Sequence, residues 1–222
     1  MVPSLSTVTV CWSPKGGSGT TVVAASLALT LAARHGSALL VDLAGDVPAV
    51  LGLADATGQG ALDWLASPDA GPEALARLAR PGAGGLDVVA AGEGPVQGPW
   101  PPGRPAALVD ALAAERRPVV VDAGLLHPAI HDAVARATTS LMVIRSCYLA
   151  LRRAVAAPLR PSGIVLVHEP GRALGRADIA EVLGVPVVAT VPLSPDVARA
   201  VDAGLLASRL PSGLSRNLRA AA

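Results

Sequence analysis

The sequence lacks phenylalanine altogether, and tryptophan and tyrosine together make up only 2% of its residues. A buried core therefore has to be built from valine, leucine and alanine rather than from aromatic rings. Long apolar runs are also missing, because Ser26, Thr30 and Arg34 interrupt the longest helical segment. These interruptions argue against a signal peptide and against a membrane span, and we expect a cytoplasmic protein.

Cysteine is scarce as well. Cys11 lies in an apolar run and Cys147 follows Arg145-Ser146, with neither a C-x-x-C pattern nor the spacing of metal ligands. We therefore predict free thiols, in the core or near the surface.

Half of the 222 residues are apolar, at 51%, which is enough for one well-buried core. Short apolar runs alternate with helical patterns, and this alternation predicts a doubly wound α/β fold, a mostly parallel sheet with helices on both faces. We expect one domain over residues 1–222, with an irregular surface loop at 92–105. The predicted strands are 5–12, 37–43, 86–90, 118–122, 140–144, 163–167 and 185–191, and the predicted helices are 20–35, 60–67, 72–80, 105–116, 129–137, 148–157, 177–183 and 196–206.

Lysine is nearly absent: Lys15 is the only one, against 17 arginines. It stands in the glycine-rich turn 14–21, Pro-Lys-Gly-Gly-Ser-Gly-Thr-Thr, directly after the first predicted strand. A compact ammonium group on a flexible stem suits a phosphate oxygen in such a turn, where a planar guanidinium does not fit. We therefore predict that Lys15 is a phosphate ligand.

The turn is a close but altered copy of the phosphate-binding loop, Gly-x-x-x-x-Gly-Lys-Ser/Thr. Pro14 replaces the first glycine, and Thr20 replaces the lysine that normally reaches the terminal phosphates. The backbone N–H groups of the remaining glycines can still converge on an anion at the start of the next helix, and Thr21 retains the hydroxyl expected on Mg²⁺. The predicted nucleotide-binding residues are Lys15, Gly16, Gly17, Ser18, Gly19, Thr20 and Thr21. Two alternatives are a plain glycine-rich turn and a Rossmann dinucleotide site, although the third glycine of the Rossmann fingerprint is missing.

The placement of the lysine ahead of the glycine pair resembles the deviant Walker A motif of the ParA/MinD family of positioning ATPases. The similarity continues through residues 38–42, 118–122 and 183–192, and covers most of residues 5–205. The resemblance implies a P-loop NTPase fold that binds ATP and Mg²⁺. It also implies a homodimer that sandwiches nucleotide, in which Lys15 touches the phosphates bound by the partner subunit.

Two aspartates, Asp42 and Asp122, end apolar strands. Because ligands bind beyond the carboxyl ends of parallel strands, both are expected beside Thr21, where they would hold Mg²⁺ partly through water. By the family resemblance they are the Walker A′ and Walker B aspartates, and Lys15 and Asp42 would serve catalysis if the protein is active. The alternative is that each aspartate only caps the turn that follows it.

Other positions depart from the family pattern. The second switch I aspartate is replaced by Ala44, and Asp46 stands two residues too late. Since phosphoryl transfer depends on positioning and charge neutralisation, we expect little or no ATP hydrolysis. His168 stands where the family commonly has an adenine-reading asparagine, whereas Pro192 fits the loop that flanks adenine. His127 and His131 are spaced as zinc ligands on a helix, but a switch II segment is the preferred interpretation.

Charge is unevenly distributed, with four basic and eight acidic residues in 1–103 but fourteen basic and nine acidic residues in 104–222. The excess of basic residues in 104–222 is compatible with weak, nonspecific DNA binding. It is also compatible with arginines that only form the solvent-exposed faces of helices. The arginines considered for DNA are Arg152, Arg153, Arg209, Arg216 and Arg219. Leucines recur every four residues from Leu206 to Leu218, as in the membrane-targeting tail of MinD, but Pro211 and Gly213 interrupt them. We expect this segment to pack on its own domain rather than on a membrane.

These observations predict a degenerate ParA/MinD-like protein that acts as a cytoplasmic positioning or assembly factor through contacts with other proteins. The TadZ and CpaE group, tied to Tad/Flp pilus placement, is similar in its degenerate Walker loops. Two other interpretations remain open: an active ATPase that cycles on nucleoid or membrane, and a structural homodimer that no longer uses nucleotide.

Overall fold

The computed structural model describes residues 7–54 and 57–222, so the first two positions of the strand predicted at 5–12 lie outside the described residues. The strands are β1 (Val8–Ser13), β2 (Ala38–Asp42), β3 (Arg80–Pro81), β4 (Leu86–Val89), β5 (Val119–Leu125), β6 (Thr139–Arg145), β7 (Gly163–His168) and β8 (Val187–Pro192). The helices are α1 (Thr20–His35), α2 (Val47–Leu51), α3 (Ala61–Ala66), α4 (Pro72–Leu78), α5 (Arg104–Ala113), α6 (His131–Arg136), α7 (Tyr148–Val155), α8 (Arg176–Leu183), α9 (Pro195–Asp202) and α10 (Ser212–Leu218). A 3₁₀ turn covers Pro128–Ile130.

The described residues form one eight-stranded sheet in the order β3-β4-β2-β5-β1-β6-β7-β8. All neighbouring strands are parallel except the short edge pair β3 and β4. The expected α/β class and mostly parallel sheet are thus confirmed.

The central strands are buried on both faces, which is why their sequences are continuously apolar. Alternate residues of β1 point into different layers: Val8, Val10 and Trp12 pack into one hydrophobic cluster and Cys11 into the other. The first cluster includes residues of α3 to α8 and the second residues of α1, α2, α9 and α10, so helices cover both faces of the sheet.

Most differences from the predicted elements lie at element ends. Strand β5 continues to Leu125, three residues beyond the predicted end, and the helix predicted at 129–137 begins as a 3₁₀ turn. The helix predicted at 196–206 was placed too long: α9 stops at Asp202, and Gly204 has a left-handed φ of 62°. Helix α2 was not predicted, because a five-residue segment carries too little periodicity.

The leucine-rich end of the chain packs on the sheet face that α1 covers. Leu206, Leu214 and Leu218 are buried there, and α10 begins directly after Pro211. Because Leu206 and Leu210 precede α10, the four leucines do not form one helical stripe. Across the described ranges, every helix is too short or too polar to pass through a bilayer. Both cysteines are free thiols, Cys11 buried and Cys147 half-buried.

Candidate functional site

The glycine-rich turn joins the end of the central strand β1 to the start of α1. Gly17 and Gly19 have left-handed φ angles of 75° and 85°, a conformation that glycine adopts without strain. In the described part of the chain, no hydrogen bond engages the N–H groups of Gly16, Gly17 or Gly19. Free amides in such a turn, next to the positive end of a sixteen-residue helix, form a concavity suited to an anion.

Ser13 and Ser18 stabilise this loop from within. The hydroxyl groups of both serines donate to the Lys15 carbonyl at 2.7 Å, and the Lys15 N–H donates back to Ser13 Oγ at 3.2 Å. The Lys15 ammonium donates to the Gly16 carbonyl at 3.1 Å, so its side chain lies along its own loop. These contacts leave the glycine amides available to a ligand.

Two cavities border the loop and share Gly17, Ser18 and Gly19, together with Val22 and Val201. The first, of about 530 Å³, contains the whole of residues 15–22 together with Ala44, Asp46, Gly124 and His127. The second, of about 290 Å³, is lined mainly by apolar side chains around Pro192 and also by Arg145. Pro192 thus shares this second cavity with Gly17, Ser18 and Gly19 of the predicted nucleotide-binding set. A cavity that contains the whole anion-binding loop and a neighbouring, more apolar cavity match the two ends of a nucleotide.

Asp42 and Asp122 are direct neighbours across β2 and β5, and both are fully buried. Their hydrogen bonding differs sharply. Asp42 accepts three backbone N–H groups, from Ala44 at 2.9 Å, Gly45 at 2.7 Å and Val47 at 3.1 Å. It therefore holds the turn between β2 and α2, the capping role that was its alternative interpretation. Burial raises the pKa of Asp42, and these three N–H groups oppose the rise.

The carboxylate of Asp122 accepts fewer backbone hydrogen bonds than that of Asp42. Its Oδ1 accepts the Gly124 N–H at 3.1 Å, whereas its buried Oδ2 has no hydrogen-bond partner among the described residues. Burial raises the pKa of Asp122 to about 7, the nearby Asp42 adds to the rise, and the Thr21 hydroxyl and the Gly124 N–H oppose it. A buried carboxylate oxygen without a partner is costly, and a cation beside Thr21 would relieve that cost. Asp122 and Thr21 thus fit Mg²⁺, while the metal role of Asp42 stays a prediction.

The altered positions take ordinary packing roles. Thr20 is buried, with 7% of its surface exposed. Ala44 packs tightly against Gly124, which lies in β5 two residues after Asp122: a Cβ added to Gly124 would lie 3.0 Å from the Ala44 Cβ. Asp46 is exposed and lines the larger cavity.

Several lining residues were not predicted from the sequence. Val96, Gln97 and Trp100, from the long segment between β4 and α5, line the same cavity as the glycine loop. His127 lines it too, and its Nδ1 accepts the Ala129 N–H at 3.3 Å, so it caps the 3₁₀ turn. No periodicity marks these positions; the one available signal was a tryptophan in a Gly- and Pro-rich loop of a chain with few aromatics.

The comparisons with known proteins agree with this geometry. The sequence model described as CobQ/CobB/MinD/ParA nucleotide binding domain matches residues 9–207. No curated protein matches the chain significantly in sequence.

Three solved structures of similar fold illustrate the likeness. A ParA family ATPase from Chlorobium tepidum is 21% identical, with a TM-score of 0.76 over 96% of both chains. MinD from Pyrococcus horikoshii, in complex with Mg-ADP, is 20% identical, with a TM-score of 0.76 over 96% of this chain and 93% of that one. The MinC:MinD complex from Aquifex aeolicus gives 18% identity and a TM-score of 0.75, over 96% of this chain and 95% of that one.

Proposed function

This chain belongs to the CobQ/CobB/MinD/ParA nucleotide-binding domain family, and from that premise we propose that it binds a nucleoside triphosphate with Mg²⁺ on the loop 15–21. The phosphates occupy the larger cavity, and the base enters the apolar cavity beside Pro192. ATP is the nucleotide that the family resemblance implies. MinD from Pyrococcus horikoshii, of similar fold, is complexed with Mg-ADP.

One observation carries this proposal: the loop offers unpaired donors next to an unpaired acceptor. Within the described ranges, the N–H groups of Gly16, Gly17 and Gly19 make no hydrogen bond and the buried Oδ2 of Asp122 lacks a partner. An anion with a bound cation satisfies both, because phosphate oxygens accept from amides and Mg²⁺ binds carboxylate oxygen directly or through water. Bound Mg²⁺ would supply charge neutralisation at the phosphates.

We infer that hydrolysis is slow or absent. Thr20 offers a hydroxyl in place of an ammonium group, and Ala44 cannot orient water. Two contributions to transition-state stabilisation are therefore missing, while the backbone groups that bind phosphate remain. Asp46, which lines the same cavity, is the feature that favours the alternative of an active ATPase cycling on nucleoid or membrane.

The biological role that we propose is that of a cytoplasmic positioning or assembly factor, with Tad/Flp pilus placement as the nearest comparison. Such a role acts through protein partners and a nucleotide-dependent homodimer, in which Lys15 contacts the phosphates on the partner subunit. MinD from Aquifex aeolicus, of similar fold, forms a complex with MinC. DNA binding is expected to be weak and nonspecific, and membrane binding is not expected.

Calorimetric titration of the full chain with ATP, with and without Mg²⁺, tests this proposal, alongside a phosphate-release assay. We expect Mg²⁺-dependent binding with negligible turnover. Binding with turnover typical of ParA proteins would establish the active ATPase instead. No binding of ATP, ADP or GTP at millimolar concentration would identify a structural protein that no longer uses the pocket.

A further inference from the structure

A second chain segment lines the larger cavity together with the glycine loop. We call residues 95–102, which lie between β4 and α5, the roof segment. Its residues Val96, Gln97 and Trp100 line the same cavity of about 530 Å³ as the loop. Residues that line one cavity can contact the same ligand when the ligand fills it, so the side chains of the roof segment are candidates for ligand contacts.

Contacts with two other parts of the fold position the roof segment. Before it, the Glu93 N–H donates to Asp63 Oδ2 at 3.1 Å, which ties the chain to the start of α3. Within it, Gly98 approaches the turn that follows β5, since an added Cβ would lie 3.5 Å from the Ala129 Cβ. Four of its eight residues are prolines, which limit backbone freedom. The segment is therefore preorganised over the cavity.

Gln97 of the roof segment has a backbone conformation that is unusual for a residue with a side chain. Its φ of 65° is left-handed, and no other non-glycine residue in the described ranges has a positive φ. Its side chain is exposed and makes no hydrogen bond within the described part of the chain. Strain of this kind concentrates at functional sites, where a side chain has to be presented in one direction.

Trp100 carries an unused donor in the same segment. Its indole Nε1 is buried without a hydrogen-bond partner in the described structure. The other two indoles are satisfied: Trp12 donates to Ser140 Oγ at 2.8 Å and Trp64 to the Gly71 carbonyl at 2.9 Å. Trp100 is also the tryptophan that lines the cavity, so a ligand bound there would change its surroundings.

We propose that the roof segment completes the nucleotide site and that the Gln97 side-chain amide donates a hydrogen bond to the terminal phosphate of a bound triphosphate. This inference rests on the proposed nucleotide binding. The terminal phosphate is the expected acceptor because the base is proposed to lie in the cavity around Pro192, which Gln97 does not line. Lys15 is the only lysine or arginine among the described residues that line the larger cavity, and Thr20 has replaced the usual second one. A neutral amide donor in the same cavity compensates in part for that loss.

The test uses the full chain and measures ATP and ADP affinity by calorimetry in Mg²⁺. Gln97→Gly removes the side chain and permits the left-handed backbone, so the fold is not strained by the change. We expect ATP affinity to fall about tenfold, the effect of losing one charge-assisted hydrogen bond, and ADP affinity to change less than about twofold. Gln97→Glu, which places a carboxylate near the phosphates, should weaken ATP binding further.

Gln59→Glu is the matched control, because it makes the same charge change on an exposed glutamine outside the cavity. A second readout is tryptophan emission on ATP addition, which should change in the wild type and stay constant in Trp100→Phe. If the Gln97 variants bind ATP like the wild type, or if the emission change persists without Trp100, the roof segment is not part of the site, while nucleotide binding stands. Failure of the wild type to bind ATP would overturn the proposed function and this inference together.

Discussion

Asp42 and Asp122 should respond in opposite ways to replacement by asparagine. They are neighbours across two strands and equally buried, but Asp42 accepts three N–H groups whereas Asp122 has one satisfied oxygen and one without a partner among the described residues. We expect Asp122→Asn to raise the free energy of unfolding in metal-free protein, and Asp42→Asn to lower it. Comparing the two variants therefore distinguishes the carboxylate that holds a turn from the carboxylate that is available to a cation.

The size of each effect follows from the hydrogen bonds. Asp122→Asn removes the cost of burying a charge, although its new amide group still lacks a partner, so the variant should gain about 1–3 kcal/mol. Asp42→Asn leaves the buried Val47 N–H without its acceptor, Oδ2, and should lose a similar amount. The upper limit for Asp122 comes from its pKa, which rises from 3.8 to about 7; at 1.36 kcal/mol for each pKa unit the limit is about 4 kcal/mol.

The dependence on pH has a definite sign. Because the pKa of Asp122 is higher in the folded than in the unfolded protein, the folded state binds the extra proton between pH 4 and about 7. The wild type therefore loses stability as pH rises through this window, and the advantage of Asp122→Asn should be full near pH 8 and shrink toward pH 5.

Urea denaturation in EDTA at pH 8 and pH 5 measures both variants, with unfolding free energies from linear extrapolation. Equal or lower stability of Asp122→Asn at pH 8 would refute the reasoning, since it would mean that the carboxylate is already compensated. The same variant should lose Mg²⁺-dependent ATP affinity in calorimetry even though it is more stable.

Other changes give separate tests. Thr20→Lys restores an ammonium group near the terminal phosphates. We expect calorimetry to show at least about tenfold tighter ATP binding, while the rate of phosphate release rises less. A larger gain in rate than in affinity would contradict the interpretation that Ala44 limits hydrolysis because it cannot orient water. If Lys15 acts across a dimer, ATP should increase the mass measured by light scattering, Lys15→Ala should reduce this increase, and Lys15→Arg should not restore it; identical masses in all cases would limit Lys15 to its own loop. Removing residues 207–222 uncovers the surface under Leu214 and Leu218 and should lower the melting temperature by several degrees without affecting liposome binding; loss of liposome co-sedimentation at an unchanged melting temperature would indicate a membrane role.

The sequence allowed the glycine loop and its helix to be predicted well. Helix α1 has the predicted bounds, Thr20 to His35, because its start follows a glycine turn and Gly36 ends it in a left-handed conformation. The strands were recognisable because burial on both faces leaves continuous apolar runs. Signals of this kind are local, and a single sequence carries them.

The difference between Asp42 and Asp122 could not be predicted in this way. In the sequence both end apolar runs, and only the path of residues 44–47 decides which carboxylate is occupied by backbone N–H groups. The roof segment was expected to be an irregular surface loop, and it is irregular. That it lines the same cavity as the glycine loop depends on contacts with Asp63 of α3 and with Ala129, both distant in sequence, so no local pattern revealed it.

The position of β1 in the sheet has a consequence for folding during synthesis on the ribosome. β1 precedes the glycine loop, yet its two neighbours are β5 and β6, and the pairs Val8 with Val119 and Thr9 with Thr139 join the start of the chain to its middle. At synthesis rates of 5–20 residues per second, both partner strands are completed on the order of ten seconds after β1. The strand that leads into the loop stays unpaired during that interval, and contacts so distant in sequence also slow folding. Nascent chains are therefore exposed to aggregation or chaperone binding until β6, which ends at Arg145, has left the ribosome. Bound nucleotide can stabilise the fold only after that point.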